Sequence, residues 1–299
     1  MDKNVLDLIP RIKQIFDEGG NIIQYLKNNK GANLNTIEDI LISYDFQSGS
    51  YVKFIEENPE YNYNYTTAIA KVLSGLGSFN TLLEAGVGEA TTLVNLIPKL
   101  DNETINYMGF DISWSRVHYG NKYANKKQVK TNLFVADLFN IPLSDSSIDV
   151  IYTSHSIEPN GGREKEALEE LYRVAKKYLV LLEPTNQFAD EEGRKRMQKN
   201  GYIQNLIQTL QELKYDVVEY RPFEVTANPL NPTGLYIIEK EATSNSMNFE
   251  RYCCPISKSP LTEYDDHFFS KQSMVSYPKI MGIPCLCSSY GVLTTKHDE

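Results

Sequence analysis

The chain lacks several things at once. No apolar run approaches the ~20 residues that a membrane-spanning helix needs. Met1-Asp2-Lys3-Asn4 is not the basic-then-apolar opening of a secretory signal, so a cytoplasmic location is expected. Basic residues are too few to make a cationic surface: 30 Lys and Arg stand against 39 Asp and Glu, for a net charge of −9. Phosphate backbones demand a concentrated basic face, so a nucleic-acid partner is not expected. Cysteine is scarce and confined to the tail, at Cys253, Cys254, Cys285 and Cys287. That grouping concerns one small unit and excludes a disulfide framework over the whole chain.

What is present is a 299-residue chain with an ordinary 41% hydrophobic share, enough for one large α/β domain and a smaller unit. Its organising stretch is Thr81-Leu82-Leu83-Glu84-Ala85-Gly86-Val87-Gly88-Glu89-Ala90-Thr91-Thr92-Leu93. The pattern predicts a short buried strand, a glycine turn and the first turn of a helix. Gly86 and Gly88 allow a sharp turn and a close approach of backbone to ligand. The helix then points its unpaired N–H groups back at the turn. This is a nucleotide-type loop, yet the third glycine of a dinucleotide fingerprint is missing, and Glu84 would repel a pyrophosphate.

With Glu84, Gly86, Gly88 and Ala90 in the place of a third glycine, the stretch resembles the first motif of the class I S-adenosylmethionine (SAM)-dependent methyltransferases. SAM has no phosphate and carries an α-ammonium group, for which a nearby carboxylate is favourable. Later elements keep the family's order. A second strand ends at Asp111-Ile112, where a carboxylate can accept both ribose hydroxyls. A third ends at Ala136-Asp137-Leu138; the resemblance implies that Asp137 accepts from the adenine amino group while Leu138 packs near the ring. A fourth runs Ser147 to His155 and a fifth Tyr178 to Pro184. The resemblance covers roughly residues 66 to 240. It implies a Rossmann-like seven-stranded sheet of order 3-2-1-4-5-7-6, closed by a hairpin at 216–220 and 235–238. The cofactor-binding set is then Glu84, Ala85, Gly86, Gly88, Asp111, Ile112, Asp137, Leu138 and Ser154.

Domains are expected at 1–65 (a helical cap), 66–241 (the methyltransferase domain) and 249–299 (a small α+β module), with a linker at 242–248. Asn35-Thr36-Ile37-Glu38 has capping-box spacing. The run Tyr61-Asn62-Tyr63-Asn64-Tyr65 reads either as a lid facing the reaction or as a surface loop preceding a helix from Thr66. A long helical region with an apolar stripe from Ile203 to Leu213 follows Pro184. Cys254-Pro255 through Pro260-Leu261 and Tyr277-Pro278 through Gly282-Ile283-Pro284 resemble the small zinc-ribbon-like subunits that activate certain methyltransferases. Adjacent Cys253 and Cys254 are poorly spaced for one tetrahedral metal, so no metal is expected. An apolar core from Ile256, Leu261, Phe268, Ile280, Ile283 and Leu286, docked on the large domain, is expected instead.

At the reaction end the candidate catalytic residue is His155, in Ser154-His155-Ser156-Ile157-Glu158-Pro159. It reads as a general base or as a residue that shapes the pocket. Arg194, Lys195, Arg196 and Lys199 read as a solvated helix face beside acids. Trp114 flanks an adenine or merely packs, and His118, His267 and His297 are expected to be structural or at the surface. The expected activity is methyl transfer from SAM to an O or N atom of a small-molecule acceptor, metabolite, sugar-like or lipid-like. The alternatives are a methyltransferase of RNA or protein, or a SAM-binding protein without transfer activity.

Overall fold

The computed structural model describes residues 6–30, 35–241 and 252–297; the expected linker at 242–248 lies outside them. Ten α-helices are named here in chain order: α1 Ile9–Asp17, α2 Ile22–Lys30, α3 Ile37–Phe46, α4 Ser50–Glu57, α5 Pro59–Ser74, α6 Thr91–Leu100, α7 Trp114–Lys127, α8 Glu164–Val174, α9 Glu191–Asn200 and α10 Leu206–Glu212. The large sheet takes β1 Thr81–Ala85, β2 Asn106–Asp111, β3 Asn132–Val135, β4 Ile148–Ser154, β5 Ala175–Pro184, β6 Asp216–Pro222 and β7 Thr233–Glu239. Its order is β3-β2-β1-β4-β5-β7-β6, with β7 antiparallel to both neighbours, as expected.

Period-two alternation explains why this sheet is covered on both sides. Leu82, Val150 and Tyr152 enter one core, shared with α5 and α6. Leu83 and Ile151 enter the other, shared with α8 and α10. Parallel strands point their C-terminal ends the same way, so the ends of β1, β2, β3 and β4 form one rim, where ligands of open α/β sheets bind.

Three local expectations change. The capping box is Thr36 with Asp39, reciprocally bonded, and α3 extends to Phe46. The Tyr/Asn run is helical: Pro59, with its fixed φ, starts α5 ahead of it, and α5 runs across the expected boundary at 65. The long helical region is two helices, because Gly201 closes α9 in the left-handed conformation at φ +69°.

The C-terminal unit is a small sheet of β8 Thr262–Glu263, β9 His267–Ser270, β10 Val275–Ile280, β11 Ile283–Pro284 and β12 Val292–Leu293, with a single 3₁₀ turn. It docks as expected, against the outer edge of the large sheet. Cys285 bridges Val135 in parallel, and the Leu286 N–H donates to the Val135 carbonyl at 2.8 Å. Phe268, Ile283 and Leu286 are buried, whereas Ile256 and Ile280 face solvent and are not core. Cys254 lies in one core of the large domain and Cys285 and Cys287 in the other, so the two pairs do not face one another.

Docking by a buried leucine makes the tail part of the main cooperative unit. Leu286→Ala should lower stability by about 2–5 kcal/mol. A single calorimetric transition moving as a whole checks this; a separate low-temperature transition contradicts it.

Candidate cofactor and acceptor site

A cavity of about 370 Å³ opens at the rim. One side is the turn after β1. Gly86 (φ +73°) and Gly88 (φ +53°) are both left-handed there. A Cβ on Gly86 would overlap the Ser156 side chain; one on Gly88 would stand 3.6 Å from Tyr51 and 3.8 Å from Arg116 Nη1. Ala90, the third-glycine position, is also left-handed at φ +54° and caps α6 without a side-chain bond.

Of the nine expected cofactor residues, Gly86, Gly88, Asp111, Ile112, Asp137, Leu138 and Ser154 line this cavity. Asp111 Oδ2 accepts from the Gly88 N–H at 3.0 Å and Oδ1 from the Ser113 N–H at 2.9 Å. Asp137 Oδ1 accepts from the Phe139 N–H at 3.0 Å. Burial raises both carboxyls above their ordinary values, opposed for Asp111 by the Arg116 charge and for Asp137 by the Phe139 amide. Ser154 shares a 2.8 Å hydrogen bond with the Tyr65 hydroxyl of the cap.

Glu84 and Ala85 do not stand on the wall. Strand alternation turns Glu84 beneath the turn, where it is buried and accepts from the Tyr152 hydroxyl at 2.7 Å and from the Leu93 amide of α6. Its carboxyl therefore fastens β1 to α6 from behind, and Ala85 is wholly enclosed. Burial pushes the Glu84 carboxyl up to about 8, against the Tyr152 and Leu93 donors.

His155 is left-handed (φ +56°), on the loop after β4. Its Nδ1 bonds Glu158 Oε2 at 2.7 Å and its Nε2 bonds Thr233 Oγ1 at 2.8 Å. Burial disfavours the imidazolium, but the hydrogen bond and charge of Glu158, then the charge of Glu183, outweigh it and raise the pKa. An imidazolium donates from both nitrogens and has no lone pair to accept a proton. Glu158 Oε1 in turn accepts from Asn231 Nδ2 at 3.1 Å. Beneath this loop the buried Glu183 accepts three backbone N–H groups, from Ser156, Ile157 and Glu158, at 3.0, 3.1 and 3.1 Å.

The far side of the cavity belongs to the cap. Ile37, Ile40, Tyr44, Tyr51, Phe54 and Tyr61 line it. Tyr61 and Tyr65 stack, ring centres 5.8 Å apart, and with Asn62 they line the cavity, whereas Tyr63 of the same helical run is exposed. A buried cluster missed by sequence reasoning holds the cap down. Glu89 accepts from the Gly49 and Val52 amides at 2.9 and 2.8 Å and pairs with Arg116 Nη1 at 3.4 Å. Arg116 Nε donates to the Tyr44 carbonyl at 2.9 Å, and Asp45 accepts from Ser113 Oγ and Ser115 Oγ at 2.7 and 3.0 Å. The signal was an acid inside the glycine turn and an arginine in the first turn of the helix after β2.

Other candidates lie elsewhere. Trp114 stacks on His118 and donates to the Ile280 carbonyl, so it serves tail docking. His267 and His297 do meet, Nε2 to Nε2 at 2.8 Å, at the surface of the tail. Lys195 pairs with exposed Glu191, as a solvated face would. Among the described residues no group of three or more His, Cys, Asp or Glu is arranged to hold a metal, and no helix is long and apolar enough to cross a membrane.

A glycine turn between β1 and α6, an acid ending β2 and an acid following β3, on a sheet of this order, define a Rossmann-like site of the class I methyltransferase type. Residues 82–178 match the family model of a methyltransferase domain. The matched stretch carries the glycine turn and both strand-end acids, so the methyltransferase domain it describes includes this wall of the cavity, and S-adenosyl-L-methionine is the cofactor such a wall implies. No curated protein sequence matches it. Among solved structures it is similar to a SAM-dependent methyltransferase from Aquifex aeolicus (22% identity, TM-score 0.44, covering 56% of this chain and 87% of that one). It is also similar to a putative sarcosine dimethylglycine methyltransferase from Galdieria sulphuraria (12%, 0.48, 62% and 88%). A third is the geranyl diphosphate C-methyltransferase from Streptomyces coelicolor A3(2) (10%, 0.46, 57% and 75%).

The residues present fit this cofactor. The space left by the missing Cβ of Gly88, and two buried polar atoms without a partner among the described residues, Arg116 Nη2 and Ser156 Oγ, face a polar ligand's needs.

Glu84 gives the site a pH signature. Its folded value of about 8 lies above the ordinary 4.5. Between those values the unfolded chain has lost the proton that the folded chain keeps, so stability falls as pH rises from 4.5 to 8. Glu84→Gln cannot ionise, and its melting temperature relative to the unaltered chain should improve between pH 5 and pH 9. A difference independent of pH would show that Glu84 is already ionised at pH 5.

Proposed function

We propose that the protein transfers the methyl group of SAM to an O or N atom of a small-molecule acceptor. The carrying observation is that aromatic and aliphatic residues of the docked cap line the same cavity as the glycine turn, Asp111 and Asp137. A concave, largely apolar wall with a few converging polar groups suits a small-molecule acceptor. When bound, SAM supplies a methyl group already activated on sulfur, so positioning the acceptor in line is the protein's main task.

Asp111 accepts the ribose hydroxyls and Asp137 the adenine amino group, with Ile112 and Leu138 packing on the ring. Gly86, Gly88 and Ser154 present backbone and hydroxyl groups, and Glu84 and Ala85 support the turn from behind. His155 orders the Glu158 side chain and the loop after β4, and we assign it to pocket shaping, not to proton removal. The cap, the methyltransferase domain and the tail are read as three units, with α5 joining the first two and residues 249–299 the third.

Isothermal calorimetry with S-adenosylhomocysteine, followed by transfer of a labelled methyl group to a panel of small amines, phenols and alcohols, tests this. Labelling of RNA or protein but of no small molecule would overturn the acceptor class. Asp111→Ala removes a charged acceptor, worth roughly 1.5–3 kcal/mol, so the dissociation constant should rise about tenfold to a hundredfold. Unchanged affinity would take Asp111 out of the site.

A second variant separates the roles of the histidine. His155→Gln retains polar groups for Glu158 and Thr233 while abolishing imidazole basicity. Turnover should stay within about tenfold, short of the 10²–10⁴-fold that a general base contributes. A larger loss, with affinity for S-adenosylhomocysteine intact, would restore the base role.

A further inference from the structure

We infer that Asn62 and Asn231 form the recognition subsite for the methyl acceptor, and that it takes an uncharged molecule whose apolar body carries a hydroxyl or similar hydrogen-bonding group. This deepens the small-molecule reading above and rests on it.

Two neutral amides on separate segments of the wall are unspent. Asn231, in the loop joining β6 to β7, is 7% exposed and lines the cavity. Its main chain is fixed, the N–H donating to the Asn228 carbonyl at 2.8 Å, and its Nδ2 donates to Glu158 Oε1 at 3.1 Å. A carboxylate oxygen only accepts, so the amide nitrogen must face Glu158 and Oδ1 is the atom left over. That Oδ1 is buried and has no partner among the described residues, an unmet acceptor that costs free energy until a donor reaches it. Asn62, on α5, is 8% exposed and lines the same cavity. Its main chain is engaged, the carbonyl accepting from Thr66 Oγ1 at 2.7 Å, but its side-chain amide bonds no other described residue.

The neighbours of these amides lie on the half of the rim away from β2 and β3, whose ends lead to Asp111 and Asp137. Tyr65, one turn on from Asn62, bonds Ser154 at the end of β4, and its ring meets that of Phe223, just past β6, edge-on at 5.6 Å. Tyr61 and Phe54 continue the row at 5.8 and 5.9 Å, giving the acceptor an apolar bed between the cap and the loop after β6. Charge on the wall is already matched. Its acids and bases are Asp111, Asp137, Glu158, Arg116 and His155. His155 pairs with Glu158 at 2.7 Å and Arg116 with Glu89 at 3.4 Å, while Asp111 and Asp137 accept backbone amides. Burial pushes the Tyr61 phenol up to about 12, so it too stays neutral. A carboxylate, phosphate or ammonium brought here would shed its water without gaining a free counter-charge. A hydroxyl sheds less and can donate to Asn231 Oδ1 while bonding the Asn62 amide.

Three probes with one ring and different head groups test this: benzyl alcohol, benzylamine (an ammonium at about pH 7) and benzoate, each titrated by calorimetry into the full chain saturated with S-adenosylhomocysteine. Benzyl alcohol should bind at least about tenfold more tightly than either charged probe. Asn231→Leu and Asn62→Leu should each weaken it about threefold to tenfold, with affinity for S-adenosylhomocysteine held within about twofold. Should Asn231→Leu not fold, because Glu158 loses a donor, Asn62→Leu carries the test, since its amide holds nothing else in place. A charged probe that binds as tightly as the alcohol, no binding of any probe, or an alcohol affinity indifferent to the substitutions overturns the subsite. An equal loss of S-adenosylhomocysteine affinity would give these amides to the cofactor and overturn it too. Failure of the unaltered protein to bind S-adenosylhomocysteine would instead overturn the reading of the cavity on which the subsite rests.

Discussion

A buried ion pair is a poor source of stability unless further hydrogen bonds satisfy both partners. Glu89 and Arg116, at 0% and 1% exposure, meet that condition only while the cap is docked. Two amides at the start of α4 complete Glu89, and the Tyr44 carbonyl at the end of α3 occupies Nε of Arg116. Lifting the cap would strand a carboxylate and expose the tyrosines packed on the guanidinium. The roof over the cavity is therefore tied to the glycine turn through Glu89 and to the first turn of α7 through Arg116.

The rim is held from below by the same device used twice. Glu84, on β1, reaches under the glycine turn to the Leu93 amide. Glu183, on β5, reaches under the loop after β4 to three amides. Each acid lies inside the protein and aims at backbone, so the ligand-facing side stays available. Their environments differ in charge: burial pushes Glu183 up to about 7, with the His155 charge opposing it, whereas burial of Glu84 is opposed by two neutral donors, the Tyr152 hydroxyl and the Leu93 amide. Left-handed backbone at Gly86, Gly88, Ala90 and His155 is tolerable because these carboxylates and the close Gly86–Ser156 approach over-determine the loops.

The sheet and most of the site were legible because they depend on local pattern. Apolar runs ending in Glu84-Ala85, Asp111 and Asp137 mark strands whose ends converge by topology alone, and the glycine turn marks where the ligand lies. What escaped depends on contacts between distant segments. Glu89 and Arg116 are visible singly, but nothing in the sequence announces that they meet or that Tyr44 joins them, and Glu183 reads as a strand acid until the loop after β4 folds onto it. Glu84 was assigned to the ligand because its spacing before Gly86 is visible, whereas the direction of its side chain follows from strand alternation together with Tyr152. His155 was read by its chemistry; the partners that occupy both nitrogens, Glu158 and Thr233, come from a turn and from β7. Helix limits shifted where one residue overruled a stripe, as Gly201 did between α9 and α10.

The tail bears on the site through β3. An exposed outer strand offers unpaired backbone groups to other chains, and folds commonly cover it. Here Cys285 and Leu286 do so, pairing with Val135. Val135 is the last residue of β3, one residue from Ala136 and two from Asp137, so the cover also fixes the backbone that leads to this acid of the cavity wall. Cys253 adds a second tether, its N–H donating to the Pro142 carbonyl at 3.0 Å, and Lys258 a third, its ammonium bonding Asn140 Oδ1 at 2.6 Å. These bonds bracket the segment 135–142 from both ends. The tail is thus joined to the large sheet at the end of the strand that leads to Asp137, and its bonds hold the backbone on that side of the cavity.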